Sequence, residues 1–172
     1  MHRRQFLQRS VTWAAASLAA PLWAPRAARA ASLPKALEES EFVYVSPLKS
    51  NGTESRCHAE VWYAWLDGAV VMTVSASGWK ATAISRGLAE ARIWVGDYGR
   101  WKGLFSNNER FRQGPNFLAT GERVNDPALL EQLLAAYQVR YPEEIAQWRG
   151  RMREGQRDGS RVMVRYQPNR PL

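Results

Sequence analysis

The chain has 172 residues, of which 45% are hydrophobic and 23% are charged, a balance that supports one folded domain with its own core. Its net charge of +8 does not indicate a nucleic-acid-binding protein, because residues 1–30 hold five arginines and no acid and leave about +3 for the rest. Cys57 is the only cysteine, and His58 is the only histidine after residue 30. An intrachain disulfide is therefore excluded, and no metal site is expected, since one histidine and one cysteine cannot complete a His/Cys zinc site.

The first element in chain order is an export signal. Arg3-Arg4-Gln5-Phe6-Leu7 is followed by an apolar run over 11–24 and by small residues that end at Ala30. This order resembles a bacterial twin-arginine signal peptide cleaved after Ala30, with an ordinary secretory signal as the alternative. The run is shorter than a membrane-spanning helix needs and is broken by proline. We therefore predict a signal peptide over 1–30, a single domain over 31–172, and a periplasmic protein without a membrane span after cleavage.

The remaining sequence predicts strands interspersed with helices. Strands are predicted over 41–48, 56–66, 69–77, 91–96, 116–123 and 161–166, a linker or helix over 31–40, a short helix over 78–86, and longer helices from Pro127 and Pro142. Asp126 has the residue type and position of an N-cap before Pro127, and Gly159 follows the last predicted helical residues. A basic, aromatic loop over 97–115 is either a lid over an anionic ligand or a solvated connection.

Asp67-Gly68 is a strong signal for a two-residue β-hairpin turn, and this turn fixes the register of its two strands. The predicted apolar face pairs Trp65 with Val70, Tyr63 with Met72, Val61 with Val74 and Ala59 with Ala76. The predicted polar face pairs Ala64 with Val71, Trp62 with Thr73, Glu60 with Ser75 and His58 with Ser77. Cys57 falls on the apolar side and is expected to be buried. Glu60 is expected to be a solvated carboxylate, with orientation of His58 as the alternative.

The polar face ends in small hydroxyl side chains, Thr73, Ser75 and Ser77, which run into Gly78-Trp79-Lys80. Hydroxyls, a lysine and free backbone N–H groups at a strand-to-helix turn suit a bound phosphate group. Arg86 follows at the end of the short helix as a weaker candidate. The alternative is that this face of the hairpin is simply exposed to solvent.

The order of elements over roughly 41–167 resembles the FMN-binding split β-barrel proteins, which include pyridoxamine 5′-phosphate oxidase-like enzymes and deazaflavin-dependent nitroreductase relatives. The resemblance rests on Thr73-Val74-Ser75-Ala76-Ser77-Gly78-Trp79-Lys80, the short helix and the strand Arg92-Ile93-Trp94-Val95. It implies an α+β fold, a six-stranded, mainly antiparallel split β-barrel with flanking helices. It also implies that Thr73, Ser75, Ser77 and Lys80 hold a flavin phosphate, with Lys80 expected to be exposed near it. The chain departs from the family at Ser85-Arg86-Gly87, where an Asn-Pro is common.

The resemblance further implies a homodimer that binds FMN or a deazaflavin and oxidises or reduces a small molecule. Trp62 and Trp79 are candidates for stacking on the isoalloxazine ring, with core or dimer-interface packing as the alternative. No catalytic residue is predicted. Haem or flavin binding without turnover, with His58 as an axial ligand or as a structural residue, is one alternative function, and a vestigial empty site is another.

Overall fold

The computed structural model describes residues 32–100 and 108–172, so the predicted signal peptide and part of the 97–115 loop lie outside the described residues. The helices are α1 (Leu33–Glu39), α2 (Trp79–Ser85), α3 (Pro127–Arg140) and α4 (Pro142–Asp158), with a 3-10 turn over Arg110–Gln113. The strands are β1 (Val43–Pro47), β2 (Ala59–Val61), β3 (Ala64–Leu66), β4 (Ala69–Ser75), β5 (Glu90–Val95), β6 (Asn116–Val124) and β7 (Arg161–Pro168). Within this part of the chain, no helix combines the length and the apolarity that a bilayer crossing needs.

The seven strands form one antiparallel sheet in the order β2-β1-β5-β6-β7-β4-β3. The two edge strands, β2 and β3, are consecutive segments of chain separated only by Trp62 and Tyr63. The edges of the sheet therefore come together, and the sheet curls into a half-barrel with helices around it. This confirms the α+β split-barrel prediction, with seven strands in place of six because the strand predicted over 56–66 is divided in two.

The Asp67-Gly68 turn forms as predicted, with φ of 50° at Asp67 and 75° at Gly68, the signs that a type I′ hairpin turn requires. Leu66 pairs with Ala69, Trp65 with Val70 and Ala64 with Val71, which confirms the predicted register next to the turn.

The pairs predicted from Tyr63–Met72 onward, away from the turn, are wrong on both faces of the hairpin. The chain that precedes β3 turns away from β4, and β2 pairs with β1 instead, so that Val61 lies opposite Val43 and Glu60 lies opposite Tyr44. The second half of β4 pairs with β7 on its other side. Thr73, Ser75 and Ser77 are therefore not opposed to Trp62, Glu60 and His58.

The barrel interior is filled by alternate residues of the strands, and α1 and α2 contribute Leu37 and Ala81. Tyr63, Val70 and Met72 are fully buried there, which confirms the predicted apolar face of the hairpin. Cys57 is exposed, contrary to prediction, because it lies in the loop before β2 begins at Ala59.

Helices α3 and α4 cover part of the outer face of the sheet. Asp126 caps α3 as predicted, because its carboxylate accepts hydrogen bonds from the backbone N–H groups of Ala128 at 2.8 Å and Leu129 at 3.2 Å. Gly159 ends α4 with a φ of 77°. The two helices pack on a second cluster that includes Ala64 and Val71. The end of the hairpin's outer face nearest the turn is therefore buried, while the end toward Thr73 and Ser75 is less covered.

Candidate functional site

A cleft of about 380 Å³ lies where β2 diverges from β4, between these strands and the helices α3 and α4. Its lining residues are Glu60, Val61, Trp62, Thr73, Tyr137, Trp148, Met152 and Arg161. The volume is in the range of small-molecule sites in proteins. The cleft lies on the face of the hairpin that the sequence predicts to be functional, and it includes two predicted site residues, Trp62 and Thr73.

Two tyrosines stabilise the point at which the strand divides. The hydroxyl of Tyr137 donates a hydrogen bond of 2.9 Å to the carbonyl oxygen of Trp62, and the backbone N–H of Tyr63 donates one of 3.3 Å to the hydroxyl of Tyr141. The indole of Trp62 stacks on Tyr141 with ring centroids 4.6 Å apart and an interplanar angle of 11°. Trp62 is therefore held by packing on one side and lines the cleft.

Arg161, at the start of β7, is a cleft residue that no sequence motif indicates. Its Nε donates to Oγ1 of Thr73 and its Nη2 donates to the carbonyl oxygen of Thr73, both at 3.2 Å. Within residues 32–100 and 108–172 it makes no ion pair with a carboxylate. Burial lowers the pKa of its guanidinium. Only the β4–β7 pairing, which sets Arg161 opposite Ser75, could have revealed it.

Glu60 is half-buried in the same cleft, not solvated as expected. Burial raises the pKa of its carboxyl group, while a hydrogen bond with the Tyr44 hydroxyl acts in the opposite direction. Its Oε2 is buried and has no hydrogen-bond partner among the described residues. A buried polar atom of this kind is uncommon in folded proteins and marks Glu60 as a group that could bind a ligand.

Ser75 and Ser77 are exposed, and their hydroxyl oxygens lie 3.1 Å apart. The N–H groups of Ala76 and Gly78 in this turn bond to the carbonyl oxygens of Ser160 at 2.9 Å and Ser75 at 3.0 Å. The prediction of free N–H groups is therefore wrong for these two residues, and the hydroxyls are the available donors here.

Lys80 is half-buried, and the prediction that it is exposed is wrong. Its Nζ lies 4.6 Å from the centroid of the Trp79 ring, and Trp79 packs against the barrel interior. Burial lowers the pKa of Lys80 to about 8, and no acidic residue in the described chain pairs with it. Arg86 is exposed at the C-cap of α2, the opposite end of this helix from Ser77.

His58 belongs to a closed hydrogen-bonded ring on the outer face of β1. The Arg112 guanidinium donates to Nε2 of His58 at 3.0 Å, so Nδ1 carries the proton and donates to Oγ of Ser46 at 2.6 Å. Ser46 bonds in turn to Glu54, which pairs with Arg112 at 2.7 Å. Both ring nitrogens of His58 are engaged, which supports the structural alternative for this residue.

The hydrogen-bonded ring that contains His58 and Arg112 also fixes residues 108–115, the C-terminal part of the 97–115 loop. Phe111 stacks on Tyr44 with centroids 4.7 Å apart and an interplanar angle of 9°, and Arg112 follows it. Residues 108–115 are thus packed against β1 and β5. A lid function for the whole loop stays a prediction, because residues 101–107 lie outside the described residues.

No protein-family model and no curated protein matches this chain. Three solved structures illustrate its structural similarity. A conserved hypothetical protein from Mycobacterium tuberculosis is 19% identical, with a TM-score of 0.54 and 81% of each chain covered. HutZ, a haem storage protein from Vibrio cholerae, is 16% identical, with a TM-score of 0.50 and coverage of 80% of this chain and 87% of its own. A candidate pyridoxamine 5′-phosphate oxidase from Listeria innocua is 8% identical, with a TM-score of 0.51 and coverage of 80% and 90%.

These likenesses establish the fold. The chain has the split-barrel fold of the pyridoxamine 5′-phosphate oxidase-like proteins, as the sequence resemblance predicts.

Proposed function

We propose that the protein is a periplasmic oxidoreductase that binds a flavin, either FMN or a deazaflavin, and acts on a small molecule. One observation carries the proposal. Lys80 is a half-buried cation without an acidic partner among the described residues, and it follows a row of hydroxyls. Lys80 follows Ser77, the last of these hydroxyls, by three residues.

The residues present fit the phosphate group of a flavin. A phosphate supplies the negative charge that a desolvated cation lacks, and serine hydroxyls donate hydrogen bonds to its oxygens. In this proposal Ser75, Ser77 and Lys80 hold the phosphate, and Thr73 is the hydroxyl farthest from it in the row. Arg86 is a weaker candidate because it is at the far end of α2. The flavin, when bound, supplies the hydride chemistry.

The two tryptophans are not equivalent candidates for contact with the flavin ring. Trp62 forms one wall of the cleft, and Tyr141 fixes its orientation. Trp79 is packed against the barrel interior and has Lys80 above its ring. We therefore assign the ring contact to Trp62 and a supporting role, that of holding Lys80, to Trp79.

The cellular setting is part of the proposal. Export through the twin-arginine pathway suits a protein that folds and acquires its cofactor before transport, and the homodimer completes the site as implied by the family resemblance. Replacing both Arg3 and Arg4 by lysine should leave the precursor in the cytoplasm, as measured by cell fractionation. Size-exclusion chromatography with light scattering should give the mass of two mature chains.

The absorption spectrum of the purified protein is the primary test. Flavin bands at about 370 and 450 nm support the proposal, whereas a Soret band at about 400 nm supports haem binding. The similarity to the HutZ fold motivates the haem alternative. His58 is poorly suited to be an axial ligand, since both nitrogens are already hydrogen-bonded.

Titration with FMN and a deazaflavin then tests the site. The Lys80→Ala variant should bind at least about tenfold more weakly, which corresponds to the loss of one charged hydrogen bond. Lys49→Ala, at an exposed lysine, is the matched control and should bind normally. Equal affinity in Lys80→Ala would remove the phosphate assignment. A colourless protein whose thermal stability no flavin increases would favour the vestigial-site alternative.

A further inference from the structure

Arg161 is the arginine that lines the cleft, and its guanidinium has hydrogen-bonding capacity that no described residue uses. Five described arginines, at positions 92, 112, 153, 157 and 165, make ion pairs with glutamates. Arg161 instead donates only to Thr73, through Nε and Nη2. A guanidinium has five N–H donors, so three have no acceptor in the described part of the chain. This geometry suits a carboxylate, which can accept two parallel hydrogen bonds from one guanidinium.

The position of Arg161 is set by a glycine in α4. A Cβ on the buried Gly155 would lie 2.5 Å from Cγ and 2.7 Å from Cδ of Arg161, so the arginine stem occupies the space above this glycine. Thr73 fixes the guanidinium itself by accepting two hydrogen bonds. The charge is therefore held at one place in the cleft by contacts on both its stem and its head.

The walls of the cleft favour a flat ligand. Trp62 forms one wall and is immobilised by its stack on Tyr141. Trp148 on α4 lines the cleft and is 37% exposed, and Arg151 lies over its ring at 5.3 Å. Aromatic side chains pack efficiently on planar ring systems. A volume of about 380 Å³ accommodates a ligand of one or two rings.

Glu60 indicates that the ligand of this cleft also carries a hydrogen-bond donor. Its Oε2 has no hydrogen-bond partner among the described residues, and it lines the same cleft as Arg161 without forming an ion pair with it. An N–H or O–H group on the ligand would satisfy this oxygen. Leaving the oxygen unsatisfied is costly, so ligands that carry such a donor are favoured over those that lack it.

We propose that the cleft binds a small planar carboxylate that also carries an N–H or O–H group, with Arg161 and Thr73 on the carboxylate and Glu60 on the donor. We further assign this class of molecule as the substrate, and that assignment alone rests on the proposed flavin-dependent function. The binding of the carboxylate is tested on flavin-free protein, because the flavin ring is assigned to the same wall of the cleft, Trp62.

The test uses 4-hydroxybenzoate and 4-hydroxycinnamate as probes, two planar acids of different length. Binding to the purified mature protein is followed by saturation-transfer NMR and by the fluorescence of its tryptophans. We expect millimolar or tighter binding of at least one probe, and at least threefold weaker binding of the matching acid without the hydroxyl group. The neutral amide of the same probe should bind at least tenfold more weakly. No binding of either acid, or equal binding of acid and amide, would overturn the proposal.

Variants locate the probe. Arg161→Gln should weaken binding at least tenfold, whereas Arg165→Gln, at an ion-paired arginine on the same strand, should not change it. Gly155→Ala keeps the charge but displaces the Arg161 stem, so it should weaken binding as well and serves as a second test if Arg161→Gln folds poorly. In Glu60→Val the preference for the hydroxylated acid should disappear. Unchanged binding in both Arg161→Gln and Gly155→Ala would refute the site.

Flavin titration of the same preparations separates the two proposals. Probe binding without flavin binding would contradict the proposed function and leave the carboxylate site intact. Flavin binding without probe binding would contradict the carboxylate site and leave the flavin proposal intact.

Discussion

The hydroxyl of Tyr137 donates a hydrogen bond of 2.9 Å to the carbonyl oxygen of Trp62, at the residue where the strand leaves β4 and turns toward β1. Burial raises the pKa of Tyr137, so the hydroxyl keeps its proton and its role as donor at any physiological pH. Helix α3 thus supplies, through Tyr137, a hydrogen-bond donor for the Trp62 carbonyl, which lies between β2 and β3 and outside the sheet ladders.

Tyr137→Phe should lower the free energy of unfolding by about 1 kcal/mol, because it removes the hydrogen bond to the half-buried carbonyl of Trp62. Urea denaturation followed by tryptophan fluorescence measures the loss. Val139→Ala, at a site 85% exposed on the same helix, is the control and should have little effect. Equal stability of Tyr137→Phe and the wild type would show that the bond does not hold the strand division.

Protonation of His58 should destabilise the fold in mild acid. Burial, followed by repulsion from Arg112, lowers the pKa of His58 below its usual 6.5, although Glu109 and Glu54 act in the opposite direction. Between the lowered pKa and 6.5 the unfolded chain binds more protons at His58 than the folded one, so the contribution of His58 to stability falls as the pH drops through this window and is constant above it. The His58→Gln variant should lack this acid-dependent loss of stability when unfolding curves at pH 5 to 8 are compared. Parallel pH profiles for the two proteins would contradict the prediction.

Lys80 should cost stability in the protein without ligand. Its pKa is lowered from 10.5 to about 8 by burial, so the wild type should gain stability as the pH rises through this interval. Lys80→Met removes the buried charge and should be more stable than the wild type at pH 7, while it binds flavin more weakly. Thermal unfolding with and without FMN measures both effects.

The same lysine predicts proton uptake on flavin binding. A phosphate next to Lys80 raises its pKa, so at pH 9 the complex should take up a fraction of a proton that the free protein lacks. Calorimetry in two buffers of different ionisation enthalpy measures this uptake, and Lys80→Met is the control. Heats of binding that are independent of the buffer would mean that Lys80 does not contact the phosphate.

Gly68→Ala should destabilise the protein by about 1 kcal/mol, because its φ of 75° favours glycine although the space around it is open. Gly150→Ala is a matched control with the opposite sign, since this glycine lies inside α4 with open space around it and alanine is the better helix former. Chemical denaturation of the two variants should therefore give shifts in opposite directions. Shifts of the same sign would indicate that the turn at Asp67-Gly68 is not under this conformational constraint.

Features that depend on neighbouring residues could be predicted from the sequence. The Asp67-Gly68 turn, the Asp126 cap and the Gly159 terminus are local, and each forms as expected. The apolar face of the hairpin is also predictable because strand alternation continues through Tyr63.

Features set by distant segments could not be predicted. The hairpin pairing fails from Tyr63 onward because β2 pairs with β1, and nothing within 56–77 reveals that partner strand. Arg161 lies 88 residues from Thr73, and only the strand order brings the two together. Lys80 is less exposed than expected because Trp79 packs α2 against the barrel. The seven-residue sequence of α2 does not by itself predict this contact.

The division of one strand between two ends of the sheet also restricts how copies of the protein can meet. Each free edge, β2 and β3, is only three residues long, so neither offers a ladder on which a foreign strand could extend far. Strand addition along β2 or β3, a common route to fibrils, is thereby disfavoured. We expect association of two copies to use the outward faces of the sheet, the helices or the loops.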